Sequence, residues 1–148
     1  ILLLGHCGPL GLGDQPEAPC GKDWQPLGGD HGDPDMTAAI AQIRQAGKAI
    51  PLVAFGHMHH SLRHTKQHLR TPIAVHQETL YLNAASVPRI IQDNHQKRRN
   101  FSLVQMQQGR VLKAALVWVD QAYEIVSEQV LYSQTACAEL VEPSTVLQ

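Results

Sequence analysis

Five of the chain's nine histidines, His57, His59, His60, His64 and His68, fall within twelve residues. Two of them sit in Gly56-His57-Met58-His59, directly after the apolar run 50–55. A short apolar run ending in glycine reads as a buried strand, and open α/β sheets collect their ligands outside the carboxyl ends of strands. A glycine turn there lets two imidazoles two residues apart face one space. His6 has the same setting, after Leu2-Leu3-Leu4-Gly5. Two neighbouring parallel strands that each end in Gly-His bring their imidazoles to one sheet edge. Neutral imidazole suits zinc, iron, nickel or copper. His6, His57 and His59 are therefore the candidate metal ligands.

The other histidines have simpler readings. His76 and His95 lie on no strand-end glycine turn and read as solvated or hydrogen-bonded side chains. His64 and His68 have the four-residue spacing of a helical clamp, but Arg63, Lys66 and Arg70 around them read as a solvated basic face. Asp30, His31 and His60, with Lys22, are candidates for lining a substrate pocket at the same sheet edge. Cys7 reads as a buried thiol, and Arg89, Arg98 and Arg99 as surface charge.

These positions need a scaffold. The first run, 1–4, is a strand, followed by a glycine- and proline-rich loop over 5–33. Asp33 as N-cap and Pro34 at the first helical position start a helix expected over 34–46, with Met36, Ile40 and Ile43 on one face and Gly47 as the stop. With the strand at 50–55 this makes a βαβ unit and a parallel sheet. Residues 59–70 read as a loop or short helix. A hairpin is expected from 73–75 and 79–82, a second from 101–106 and 111–119, and one more strand near 124–131. The chain opens inside a core strand, without Met, and is expected to be a fragment of a longer protein.

Leu4-Gly5-His6, then Val53-Ala54-Phe55-Gly56-His57-Met58-His59, then Tyr81-Leu82-Asn83-Ala84-Ala85-Ser86 resemble the last motifs of the calcineurin-like metallophosphoesterases. The Cys20-Gly21-Lys22-Asp23-Trp24 stretch and Gly56-His57-Met58-His59-His60 are similar to an uncharacterised cyanobacterial and plant branch. The resemblance covers roughly residues 1–89. It implies an α/β fold, a two-sheet αββα sandwich, of which 1–148 is the C-terminal part of one domain. It also implies two divalent metal ions (manganese, iron or zinc) that activate a bridging water against phosphate mono- or diesters. By position, His6 and His57 hold one ion and His59 the other.

The family's earlier motifs, Asp-x-His, Gly-Asp-x-x-Asp and Gly-Asn-His, belong upstream of His6. The strings Gly29-Asp30-His31-Gly32-Asp33 and Asp93-Asn94-His95 spell two of them in the wrong order, away from apolar strands, and read as coincidence. No catalytic residue beyond the metal ligands is identifiable. The chain supplies part of a site and is expected to be nearly inactive alone.

Composition narrows the alternatives. A formal charge of -1 from 12 basic and 13 acidic side chains gives no electrostatic reason for nucleic acid or membrane as partner; the phosphoester substrate is what the resemblance implies. No apolar run is long enough to span a bilayer. Three scattered cysteines, Cys7, Cys20 and Cys137, make no disulfide framework and suit a reducing compartment, the cytoplasm or, in a plant, the chloroplast. Other His-x-His metallohydrolases fit less well. His60 and Ser61 stand where the metallo-β-lactamase pattern needs Asp then His, and an amidohydrolase barrel takes about 250 residues. A histidine-rich metal-binding module without catalysis and a purely structural fragment remain as the non-enzymatic alternatives.

Overall fold

The computed structural model describes residues 1–93 and 96–134. Two four-stranded sheets and one helix make up its regular elements. The first sheet is ordered β1-β2-β4-β3, from β1 (Leu2–Leu4), β2 (Leu52–Phe55), β3 (Ile73–His76) and β4 (Thr79–Asn83). β1, β2 and β4 run parallel, and β3 is antiparallel to β4. The parallel strands therefore finish at one edge, where the chain continues into Gly5-His6, Gly56-His57 and Ala84. The expected βαβ unit is present, with α1 (Pro34–Gln45) between β1 and β2. The Asp33 carboxylate caps α1 by accepting the Asp35 and Met36 amides at 2.8 and 3.2 Å, and Gly47 ends it at φ 70°.

α1 and the glycine-rich loop cover one face of this sheet. Ile40, with Met36 and Ile43, packs against Leu12, Cys20, Val53, Phe55 and Tyr81. The other face presents Leu52, Leu80 and Leu82 to Val111, Ala114, Val104 and Met106 of the second sheet. That sheet is an antiparallel meander of β5 (Ile90–Asp93), β6 (Gln96–Gln107), β7 (Arg110–Val119) and β8 (Ile125–Ser133). β5 and the first part of β6 went unforeseen. They pair Ile90 with Arg99 and Asp93 with Gln96. The hairpin turn of β3–β4 is made by Gln77 and Glu78, and that of β6–β7 by Gln108 and Gly109, all at positive φ.

The αββα expectation is overturned. The described chain is predominantly β, with a single helix on one face, and no helix lies on the far face of the second sheet among the described residues. The physical reason is in the strands themselves. An antiparallel sheet tolerates one uncovered side, and this one mixes exposed Phe101, Leu103 and Val130 with charge there. Arg99 lies over the Tyr123 ring at 5.8 Å, and Lys113 and Glu128 form an ion pair. Only one stretch of the sequence, 34–45, combines a helical period with caps at both ends. Residues 59–70 form no helix, so His64 and His68 make no helical clamp. His64 lies 3.5 Å from the Glu17 carboxylate instead. Among the described residues no helix is long and apolar enough to cross a membrane. His95, with Asn94, and Cys137 lie outside the described residues.

Candidate metal centre

At the carboxyl edge of the parallel strands, His6 and His57 stand edge to face with ring centres 4.7 Å apart. The backbone forces this meeting. The Gly56 amide donates to the His6 carbonyl at 3.0 Å, and the Met58 amide to the Gly56 carbonyl at 2.8 Å. Gly56, His57 and Met58 thus form a three-residue turn with His57 at its centre, at φ 68°. Such a turn is rare, and a left-handed backbone at a residue with a Cβ costs about 1–3 kcal/mol. Replacing His57 with glycine is expected to raise unfolding stability by about 1 kcal/mol, measured by urea titration, while removing a candidate ligand. A destabilised His57→Gly variant would mean that the turn is not strained.

A cavity of about 350 Å³ opens here, lined among others by Trp24, His31, His57, His59 and Arg63. His31 stacks near His57 with ring centres 6.4 Å apart. Its other neighbour is Trp24, edge to face at 5.0 Å. Burial, and then His6, His31 and His59, lower the His57 pKa below the ordinary histidine value. This favours the neutral imidazole, the form that binds metal.

Two buried side chains set this geometry, and both tie the His-Met-His turn to other segments. Asn83, fully buried at the end of β4, donates from Nδ2 to the Met58 carbonyl at 2.7 Å and to the Pro19 carbonyl at 3.1 Å. Its Oδ1 accepts the Ala85 amide at 2.9 Å. Arg70 is only 2% exposed. Its guanidinium donates to the carbonyls of Pro16, Ala18 and Gly21 at 2.7–2.8 Å and to that of His59 at 3.0 Å, and Asp23 lies 3.4 Å from it. The reading of Arg70 as part of a solvated basic face is therefore corrected. The loop it gathers packs tightly, and a Cβ on Gly21 would lie 1.8 Å from the Gln15 carbonyl oxygen. This explains the Cys20-Gly21-Lys22-Asp23-Trp24 stretch. Cys20 is buried, Gly21 admits backbone contact, Asp23 accepts the Arg63 amide at 2.9 Å, and Trp24 faces the cavity.

The remaining sequence candidates divide. His59 and His31 line the cavity. His60 does not; its Nε2 lies 3.1 Å from the Asn83 carbonyl, and burial lowers its pKa. Asp30 is committed to the loop, its two carboxylate oxygens accepting the Gly11 amide at 2.6 Å and the Gly32 amide at 2.8 Å. Lys22 lies 6.0 Å from the Trp24 ring centre. Burial pushes the Cys7 thiol up and the Cys20 thiol up to about 12, so neither offers the thiolate that binds metal. Arg63, 5.7 Å from the Trp24 ring centre, is a cavity residue that sequence reasoning passed over as surface charge. Only its position directly after the histidine cluster could have pointed to it.

The donor set fits a transition metal in kind, with imidazoles on a shared edge. As their side chains stand, no three His, Cys, Asp or Glu residues among the described residues are grouped so that they could hold an ion. Of the carboxylates near the site, Asp23 and Asp30 are both engaged in the loop. No protein family, no curated protein and no solved structure matches the chain.

Proposed function

We propose that this chain carries one side of a dinuclear metal centre of the calcineurin-like metallophosphoesterase kind, whose reaction is hydrolysis of phosphate mono- or diesters. The observation that supports the reading best is the 4.7 Å approach of His6 and His57 at the ends of adjacent parallel strands, with His59 on the same cavity. Two divalent ions (manganese, iron or zinc), when bound, lower the pKa of a bridging water and polarise the phosphoryl oxygens. The chain's own residues do the holding. His6 and His57 would present two imidazole nitrogens to one ion, and His59 a third to the other. Arg63, at the cavity wall, supplies a cation for a phosphate oxygen. Arg70 and Asn83 keep the turn in place without touching substrate. A complete centre also needs a bridging carboxylate, and Asp23 and Asp30 are both engaged in the loop. The free thiols of Cys7 and Cys20 accord with a reducing compartment such as the cytoplasm.

The test is hydrolysis of an aryl phosphate and a bis-aryl phosphate by the full-length gene product with manganese. Turnover is expected there, abolished by chelator and by His57→Ala, and close to none from this chain alone. A gene product that binds metal tightly and cleaves neither ester would favour a metal-binding module instead.

A further inference from the structure

We propose that His31, on the glycine-rich loop, binds the same metal ion as His6 and His57, making a three-imidazole site. The inference rests on the metal-centre reading above and adds to it a ligand that the resemblance does not supply.

The loop holds His31 at the site from both sides. Its amide donates to the Cys20 carbonyl at 2.9 Å, and its carbonyl lies 3.4 Å from the thiol of Cys7, the residue next to His6. The preceding Asp30 is locked onto the Gly11 and Gly32 amides. The following Gly32 presses so closely on the first strand's extension that a Cβ there would lie 2.3 Å from the Pro9 carbonyl oxygen. Beyond it, the Asp33 amide donates to the Gly8 carbonyl at 2.7 Å. The backbone on both sides of His31 is thus anchored to the segment that carries His6, while its ring stays exposed.

The ring spacing suits a shared ion. Two imidazoles bound to one ion at ~2.1 Å set their ring centres about 5–6 Å apart, depending on the angle at the metal. The 4.7 Å of His6–His57 and the 6.4 Å of His31–His57 bracket that range. Exposed rings need only reorient about their side-chain torsions to aim their nitrogens inward. The Trp24 edge at 5.0 Å limits how far His31 swings away. With Asp23 and Asp30 already engaged, three imidazoles favour zinc or cobalt over magnesium or calcium.

The experiment titrates the chain with cobalt(II), read by its visible absorption, and then displaces it with zinc. His31→Ala and His31→Gln are compared with His57→Ala and with His76→Ala, which lies at the far end of β3. Near-ultraviolet circular dichroism of each variant reports the fold. Both His31 variants are expected to lose affinity by about 100-fold or more, and His76→Ala to bind as the unaltered chain does. Retention of affinity in a folded His31→Gln variant, with loss in His57→Ala, would overturn the His31 assignment and leave the metal centre standing. No cobalt or zinc binding by the unaltered chain would overturn both.

Discussion

Replacing Arg70 with alanine is expected to destabilise the protein by about 3–5 kcal/mol, the largest effect of any single substitution argued from this structure. The side chain is almost wholly buried and spans four carbonyls from Pro16, Ala18, Gly21 and His59, with Asp23 alongside. Truncation leaves those acceptors and the Asp23 carboxylate without their cation, and a buried charge without a partner is costly. Lysine keeps the charge but cannot match a planar fork that reaches four carbonyls, so Arg70→Lys is expected to recover only part of the loss. For a chain of this size the alanine variant should melt lower by about 10 °C. A loss below about 1 kcal/mol would mean that the loop holds its shape without the guanidinium.

Asn83 carries the second large effect. Alanine there removes three buried hydrogen bonds and strands the Met58 and Pro19 carbonyls and the Ala85 amide, for about 3 kcal/mol. Aspartate gives a sharper comparison because it is the same size. It preserves the acceptor for Ala85 but turns an oxygen towards two carbonyls, so Asn83→Asp is expected to be at least as destabilising as Asn83→Ala. Chemical unfolding of the two variants ranks them, and an aspartate variant more stable than the alanine one would reverse the amide orientation assigned here.

These two residues show where sequence reading stops. The Gly-His endings of β1 and β2 were legible because an apolar run, a glycine and a histidine are adjacent in the chain, and parallel pairing brings such endings together. α1 was legible for the same reason: Asp33, Pro34 and Gly47 are local signals. Arg70 was not. Within a stretch of His, Arg, Lys and Gln it looks like solvated charge, and only the closure of residues 16–21 over it, some fifty positions away in the chain, buries it. Asn83 stood out in Leu-Asn-Ala by resemblance, while its contacts to Pro19 and Met58 are tertiary. The second helical layer came with the resemblance rather than from any periodicity in residues 96–134. Those residues alternate as strands whose outer face mixes Arg99, Lys113 and Glu128 with Phe101, Leu103 and Val130, and they fold that way.

His6 and His57, at the ends of two parallel strands, are the proposed metal site. Zinc titration at neutral pH, followed through the imidazole resonances by NMR, tests it most directly. Saturable binding is expected that shifts the His6 and His57 signals together and weakens by about 100-fold in either alanine variant. Binding that persists unchanged in the double His6→Ala, His57→Ala variant, or no binding at all, would contradict it.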